Sequence, residues 1–152
     1  KDTLASNGVI SNNDMNKVAV NGEEEAYEFV KEELDISPLR LGYIPIDMEF
    51  SSVQSGDGYI YMEFTYGDKL VYFTQSKFNK SVSLNYVSDS KIEEEVDVYN
   101  KWLRKSLKIK STRQPDGKKR YETTVITDGA YYRLSGMIEE ETFKKIVEGL
   151  SF

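Results

Sequence analysis

The hydrophobic and polar positions change period twice along the chain, from helical spacing to alternation and back. Near the start, apolar side chains follow the spacing of one helix face: Ala26, Phe29, Val30 and Leu34. Asn21 stands where a side chain can cap the first amides, and Pro38 ends the segment because the residue before a proline avoids helical geometry. The last segment repeats the pattern behind three consecutive acids: Phe143, Ile146, Val147 and Leu150. We expect a helix at each end.

The clearest β signal between these helices is a hairpin over residues 59–76. Gly67-Asp68 provides the two-residue turn that such a connection favours. In the register set by this turn, Phe64 lies opposite Val71. One face of the hairpin is then apolar and comprises Ile60, Met62, Phe64, Val71 and Phe73. We expect this face to lie in the core.

A second hairpin is predicted around Asp128-Gly129, with Val125 opposite Tyr132. Residues 102–110 also alternate and can join this hairpin through a turn at residues 115–117. The same stretch fits a helical stripe of Tyr99, Trp102, Leu103, Ser106 and Leu107, so strand and helix both stay open. Shorter strands are expected over residues 48–54, 82–87 and 96–99.

Together these segments predict an α+β fold, a curved antiparallel sheet of about six to seven strands with an N-terminal and a C-terminal helix packed on it. The chain has 152 residues, enough for one domain of ordinary size. Residues 1–22 are rich in Asn, Ser and Gly and are assigned to a flexible linker or tail. Residues 23–152 are assigned to a single domain.

The composition removes several kinds of chemistry. The chain contains neither His nor Cys, which excludes disulfides, thiol nucleophiles, imidazole bases and zinc sites built from those side chains. Its formal net charge of −6 argues against nucleic-acid binding, which needs a dominant basic surface. No apolar run is long enough to cross a bilayer.

Three patterns resemble catalytic or metal-binding motifs but have simpler explanations. Ser88 and Lys91 have the Ser-x-x-Lys spacing in a polar linker, where no helix holds the lysine over the serine. Residues 55–58 form a turn that lacks the alternating acids of a calcium loop. Solubility and helix dipoles explain three runs of acids, at residues 23–25, 93–95 and 139–141. We therefore expect no catalytic residue, no metal and no cofactor, with a carboxylate hydrolase as a less favoured alternative.

The basic side chains cluster in the last third of the chain. Residues 101–120 contain nine basic side chains and one acid. This excess suggests an anion-binding site. Its candidate residues are Lys108, Lys110, Lys118, Lys119 and Arg120. The simpler alternative is that they form the solvated faces of two strands and their turn.

The tyrosines are the other feature with binding potential. The side chains expected on the hairpin faces opposite the core, and so the candidate ligand or partner contacts, are Tyr59, Tyr61, Tyr72, Tyr131 and Arg133. Exposed tyrosines can stack on sugars or hold a peptide. If a helix covers that face, they are ordinary cross-strand or core contacts instead.

Parts of the sequence resemble the bacterial domain of unknown function 4367 family. The run from Thr124 to Gly136, Thr-Val-Ile-Thr-Asp-Gly-Ala-Tyr-Tyr-Arg-Leu-Ser-Gly, followed by the closing helix, is similar to the C-terminal signature of that family. Leu-Gly-Tyr-Ile-Pro at residues 41–45, followed by the first hairpin, is similar to its opening. The resemblance spans residues 38–152, and Ile126 stands where the family's tryptophan is expected.

The resemblance implies a location more than an activity. Such domains commonly lie outside the membrane in Gram-positive bacteria, behind an N-terminal transmembrane helix, sometimes in proteins similar to anti-sigma factors. Because the chain begins with Lys1 rather than Met, we expect a membrane anchor or signal peptide upstream. The predicted function is a non-enzymatic extracytoplasmic sensor, regulatory or ligand-binding domain, with a protein or envelope ligand as its partner. The alternative is a binding module for anionic envelope material, such as lipid headgroups or wall polymers.

Overall fold

The computed structural model describes residues 16–77, 92–127 and 129–152. These residues form an eight-stranded antiparallel sheet, a two-stranded antiparallel ribbon and two helices. The sheet and the helices share one hydrophobic core, so the predicted α+β class is confirmed. The predicted number of six to seven strands is corrected, because the main sheet has eight and stays open.

The long elements are flanked by short strands near each end of the chain. The helices are α1 (Glu23–Leu34) and α2 (Glu140–Glu148). The strands of the large sheet are β1 (Asn16–Val18), β3 (Met48–Ser55), β4 (Tyr59–Tyr66), β5 (Lys69–Lys77), β6 (Ile92–Asn100), β7 (Lys105–Arg113), β8 (Lys119–Thr127) and β9 (Ala130–Gly136). The ribbon consists of β2 (Arg40–Leu41) and β10 (Leu150–Ser151).

The large sheet consists of two meanders joined in the middle. Its strand order is β1-β3-β4-β5-β9-β8-β7-β6, and each neighbouring pair is antiparallel. One meander runs from β3 to β5, the other runs from β6 at the far edge back to β9, and β5 pairs with β9. Both helices lie on the same face, α1 on β4 and β5, and α2 on β6 and β8.

Both predicted hairpins are confirmed with their register. Phe64 pairs with Val71, and Val125 pairs with Tyr132. Gly67 has a φ of 64°, the left-handed geometry that the first two-residue turn requires. The predicted apolar face of the first hairpin is fully buried: Ile60, Met62, Phe64, Val71 and Phe73.

Residues 99–110 form a strand, a turn and a strand, so the helical alternative is wrong. β6 ends at Asn100, residues 101–104 make the turn, and β7 begins at Lys105. Tyr99 and Trp102, which a helical stripe would bury, are each 61% exposed. The predicted alternation holds from Leu107 onward, where the side chain enters the core.

The ends of α1 differ from the predicted ones. Gly22 is the N-cap, and the side chain of Asn21 does not cap the helix. Asn21 instead donates its backbone N–H and its side-chain amide to the Glu25 carboxylate, at 2.9 and 3.1 Å. The helix ends at Leu34, because Asp35 takes the left-handed conformation with φ at 56°. Pro38 lies beyond this stop.

The buried stripes of the helices are close to the predicted ones, with two corrections. Tyr27 is buried and Phe29 is only half-buried. The Tyr27 hydroxyl donates to Glu23 at 2.7 Å and accepts from the Leu41 N–H at 3.1 Å, which ties α1 to the ribbon. Leu150 is buried but belongs to β10 rather than to α2.

The sheet extends into the stretch predicted as a linker, because β1 pairs with residues 53–55 of β3. The predicted strand over residues 82–87 and the Ser88 and Lys91 pair lie outside the described residues. Neither of the helices that the structure describes is long and apolar enough to span a bilayer.

Two buried amide side chains hold irregular segments against the core. Gln75 donates to the Leu39 carbonyl at 2.7 Å and accepts from the Leu39 N–H at 3.0 Å. Asn100 donates to the carbonyls of Val147 and Leu150 at 2.8 and 2.9 Å. A buried polar group is costly unless it is hydrogen-bonded, so each amide fixes the position of the segment that it contacts.

Candidate functional site

The large sheet has one face opposite the helices, which we name the outer face. Alternation along β4 and β5 directs Tyr59, Tyr61 and Tyr72 to it, as predicted. The rings of Tyr61 and Tyr72 stack, with 5.2 Å between centroids and 24° between planes. We name these two residues the tyrosine pair. It is a half-buried aromatic platform on the outer face.

The tyrosine pair is electrically neutral over the ordinary pH range. Burial raises the pKa of Tyr61 to about 12, and the neighbouring Tyr72 and Glu63 act in the same direction. Arg133 and Arg120 oppose this rise in the pKa of Tyr61. Burial also raises the pKa of Tyr72. Both phenols therefore keep their protons, and the Tyr61 hydroxyl hydrogen-bonds to that of Tyr72, which can donate to a ligand in turn.

The other two predicted tyrosines do not join this platform. The Tyr59 ring covers Gly56 in the β3–β4 turn, where an added Cβ would come within 2.5 Å of the ring. Tyr131 lies on the outer side of β9 opposite Ser76, but it is only 4% exposed. Its ring is therefore not available at the surface.

Arg133, predicted beside the tyrosines, forms an ion pair in the middle of the outer face. Its Nη2 donates to Glu122 Oε1 at 2.8 Å, across the β8–β9 boundary. The two side chains are 18% and 25% exposed, whereas Lys108 and Asp97 in a neighbouring ion pair are 61% and 64% exposed. The Arg133–Glu122 pair is therefore less screened by solvent and salt.

Several of the predicted anion-binding residues form ion pairs with acids that are distant in sequence. β6 runs beside β7, so its acidic positions face the basic positions of the last third. Lys108 contacts Asp97 at 3.2 Å, and Lys119 contacts Glu93 and Glu94 at 3.7 and 3.5 Å. Much of the basic excess is therefore neutralised across strands.

The remaining basic candidates are dispersed. Lys118 lies in the β7–β8 turn, where its backbone N–H donates to Asp116 at 3.0 Å. The charge of Arg120 acts on the tyrosine pair and opposes the burial that raises the pKa of both phenols. Lys110 lines a cavity together with Lys108. The five predicted residues therefore do not form one anion site.

β7 and β8 part before either strand ends. They pair as far as Ile109 and Thr123. Beyond this point β7 still pairs with β6 to its first residue, and β8 still pairs with β9 to its last. Both strands are described throughout, and no residue pair continues the β7–β8 register between them. We name residues 105–108 of β7 and 124–127 of β8 the split.

Two hydrogen bonds show which backbone groups face the split. Lys105 Nζ donates to the Ile126 carbonyl at 3.4 Å, and the Thr123 hydroxyl donates to the Lys108 carbonyl at 2.9 Å. In an antiparallel strand, alternate residues direct both N–H and C=O toward the same neighbour. Thr124 therefore faces β7 as Ile126 does, and Lys108 faces β8.

A cavity of about 320 Å³ opens at the split. Its described lining includes the three lysines Lys105, Lys108 and Lys110. The acid in this described lining is Glu122, which is already paired with Arg133. Lys108 is paired with Asp97, so Lys105 and Lys110 supply the positive charge that the cavity presents beside the split.

Sequence reasoning missed the split and three of its residues, Lys105, Thr124 and Ile126. Alternation continues through both strands, so the pattern gives no sign that they part. The one signal was Ile126, an apolar residue on the polar side of β8, which is exposed in the structure.

The acids have structural roles. Among the described residues, no group of three or more acids is placed to hold a metal ion. Glu140 and Glu141 at the start of α2 contact Lys144 at 3.2 and 3.6 Å. Arg113 donates to Glu93 at 2.9 Å and thereby lowers the pKa of that carboxyl.

The model of one protein family matches residues 38–150, from just after α1 to the start of β10. This family is described as a domain of unknown function, DUF4367. The match covers most of the chain, so the protein belongs to this family, and the resemblance seen in the sequence is confirmed. No curated protein and no solved structure matches the chain.

Proposed function

We propose that this chain is a non-enzymatic binding domain that receives its partner on the outer face. We further propose that it acts outside the cytoplasm as a sensor or regulatory module of a membrane-anchored bacterial protein. The observation that carries the proposal is the tyrosine pair next to the Arg133–Glu122 ion pair. Binding surfaces typically combine aromatic rings with a few oriented polar groups.

The tyrosine pair suits recognition because its rings are already ordered. Tyr61 and Tyr72 hold each other in a stacked arrangement, so little side-chain entropy remains to be lost on binding. Their phenols stay neutral, so contact with a sugar or an apolar side chain desolvates no charge. The positive charge of Arg120 acts on both phenols and opposes the rise in their pKa.

The environment of the acids supports binding rather than catalysis. A general acid at neutral pH needs a carboxyl whose pKa is raised and whose proton can reach a substrate. Burial raises the pKa of Glu23, but its carboxylate accepts the Tyr27 hydroxyl bond that anchors α1. Glu93 shifts in the opposite direction, because Arg113 stabilises its charged form.

The proposed location is supported by the family resemblance and the lack of cysteine, and it has a direct test. The gene upstream of Lys1 is sequenced and the native product is located by cell fractionation. We expect an apolar segment of about 20 residues and a product in the membrane fraction. A start codon immediately before Lys1 and a soluble cytoplasmic product would overturn this part of the proposal.

Binding is tested by titrating the isotope-labelled domain with muropeptides and with short peptides while backbone amide chemical shifts are recorded. We expect shifts centred on Tyr61, Tyr72 and Arg133. Tyr61→Ala should weaken the binding, and Tyr43→Ala, which removes an exposed tyrosine elsewhere, serves as the matched control. The proposal fails if shifts map to the helices instead. It also fails if the domain turns over a glycan, ester or phosphate substrate and one carboxylate substitution abolishes that turnover.

Anionic envelope material is the second candidate partner. The three lysines that line the cavity at the split favour it. Such binding weakens steeply as salt rises. Reversal of Lys105, Lys108 and Lys110 to glutamate should then reduce binding of polyglycerol phosphate, and an unchanged affinity would count against these residues as the anion site.

A further inference from the structure

We infer that the split binds an extended acidic peptide, which inserts between β7 and β8 and completes the sheet. This inference rests on the proposed function, because it names the class of partner and the part of the sheet that receives it. It differs from the tyrosine platform in position and in the backbone groups that it uses.

Strand geometry is the first argument. If the β7–β8 register continued, Lys108 would pair with Thr124, and Ser106 would pair with Ile126. The Ile109–Thr123 pair requires the bond from the Thr124 N–H to the Lys108 carbonyl, so Lys108 and Thr124 lack only the reverse bond of their pair, and Ser106 and Ile126 do not pair. An unpaired strand edge is a template for another extended chain. Such edges normally lie at the outside of a sheet, whereas here two of them lie inside it.

Two of the hydrogen bonds that cross the split come from side chains, so a peptide can replace them. The bond from Lys105 Nζ to the Ile126 carbonyl is long, at 3.4 Å. The Thr123 hydroxyl donates to the Lys108 carbonyl, which also accepts the Thr124 N–H that the Ile109–Thr123 pair requires. Exchange of both for backbone bonds leaves the β6–β7 and β8–β9 pairing intact.

Charge selects the kind of peptide. Lys105, Lys108 and Lys110 line the cavity, and the acid in its described lining, Glu122, is held by Arg133. Lys108 is paired with the exposed Asp97 at 3.2 Å, a contact that a peptide carboxylate has to share or replace. Lys108 and Lys110 are two residues apart on one strand, so their side chains share a face. A peptide strand with acids at alternate positions would place a carboxylate beside each of them. A basic peptide would be repelled.

Apolar surface at the end of the split adds a second preference. Tyr99 and Ile126 are exposed, and Tyr99 lies opposite Ser106 on the outer face. An apolar side chain in the peptide would cover part of this surface. The preferred ligand therefore alternates acids with at least one apolar residue.

The test uses a capped five-residue peptide, Glu-Val-Glu-Val-Glu, and three matched probes. These are the Lys-Val-Lys-Val-Lys peptide, the glutamate peptide with N-methylated valines, and polyglycerol phosphate. We expect the glutamate peptide to shift the amides of Ser106, Lys108, Thr124 and Ile126. Loss of the valine N–H donors should weaken its binding by about tenfold or more. The lysine peptide should produce no shift at these amides.

Two double variants test the role of charge. The double variant Lys105→Ala, Lys110→Ala should bind the glutamate peptide about tenfold or more weakly than the unchanged domain at low salt. Lys31→Ala with Lys145→Ala removes two exposed lysines from the helices and should leave the affinity unchanged. Unfolding curves of both variants show whether the fold is kept, and amide shifts map any change in the sheet.

Three results would overturn the inference. The first is that N-methylation of the valines leaves the affinity of the glutamate peptide unchanged, while the lysine substitutions weaken polyglycerol phosphate as much as they weaken the peptide. The split would then bind anions without using the peptide backbone. Shifts confined to Tyr61 and Tyr72 would leave the proposed function standing and remove the split as the peptide site. The absence of any shift at the four split amides with the glutamate peptide would also reject it.

Discussion

We divide the sheet into an aromatic half, formed by β3, β4, β5 and β9, and a charged half, formed by β6, β7 and β8. Both halves are built from antiparallel hairpins, but they differ in how far neighbouring strands stay paired. β4 and β5 stay paired from Tyr59 to Tyr66 without a shift in register. β7 and β8 stop pairing at Ile109 and Thr123, although both strands continue. The comparison shows that two halves of one sheet, built from similar hairpins, can differ in how far their neighbouring strands stay paired.

The composition of the core face also differs between the two halves. The aromatic half presents Phe64 and Phe73 to the helices, and both are fully buried. The charged half presents Ser111 and Thr123 at core positions. A buried hydroxyl adds little packing energy and needs a hydrogen-bond partner, and Thr123 takes the Lys108 carbonyl for this purpose. Ser111 and Thr123 themselves still pair in register, and β7 and β8 part just beyond them, at Leu107 and Val125.

The largest predicted effect compares two buried leucines, one in each half. Leu134 lies on β9 between two paired strands, and Leu107 lies on β7 at the split. Leu134→Ala should lower the free energy of unfolding by about 3–5 kcal/mol, and Leu107→Ala by about 2 kcal/mol, because the split lets the backbone relax into the cavity. Urea denaturation measures both values. Equal losses would show that the charged half is as rigid as the aromatic half.

The next effect compares the two buried amides. Asn100→Ala leaves the carbonyls of Val147 and Leu150 and the Leu103 N–H without their partner, at a cost of about 2–4 kcal/mol. Gln75→Ala frees only the two backbone groups of Leu39 and should cost about 1–3 kcal/mol.

Asn100→Asp is the control for this comparison. It keeps an acceptor for the Leu103 N–H but removes the donor to the two carbonyls, so it should recover little of the loss. Urea denaturation measures all three variants. Full stability in Asn100→Ala would show that β6 does not depend on its tie to the end of α2.

A smaller effect is expected for the coupling energies of two ion pairs on the outer face. A double-mutant cycle of Arg133→Met with Glu122→Gln should give a coupling energy of about 1 kcal/mol, because both side chains are largely shielded. The same cycle for Lys108 and Asp97 should give less than about 0.5 kcal/mol, because both side chains are exposed. A larger coupling for the exposed pair would reverse the assigned order of burial.

The smallest effect concerns the tyrosine pair at high pH. The pKa of Tyr61 is about 12 in the folded domain, and an unfolded tyrosine titrates near about 10. The folded state therefore holds this proton more tightly, and the contribution is complete below pH ~10 and is lost as the pH rises toward the folded pKa. Tyr61→Phe should flatten this decline in unfolding free energy, with Tyr43→Phe as control. An unchanged decline in Tyr61→Phe would contradict the shift.

Local pattern predicted the parts of the fold that depend on neighbours in sequence. Both hairpin registers follow from alternation and a two-residue turn, as at Gly67, and the two helices follow from their apolar stripes. β1 and the β2–β10 ribbon are too short to leave a periodic signal. The strand count was therefore underestimated.

The candidate site was predicted less well because it depends on pairings between distant strands. Alternation placed Tyr61 and Tyr72 on the correct face but could not show that Tyr131 is buried. The basic residues were counted without the acids of β6, which reach them only through strand pairing. Periodicity tells which face a side chain occupies, whereas it does not tell where two strands part.

The central claim is that the sheet opens between β7 and β8 while each strand remains paired on its other side. Native-state hydrogen exchange of the free domain measures this opening directly. We predict that the amides of Lys108 and Ile126, which face the split, exchange at least about a hundredfold faster than those of Thr123 and Val125, which face β9. Equal protection of all four amides would show that β7 and β8 are paired throughout and would contradict the account.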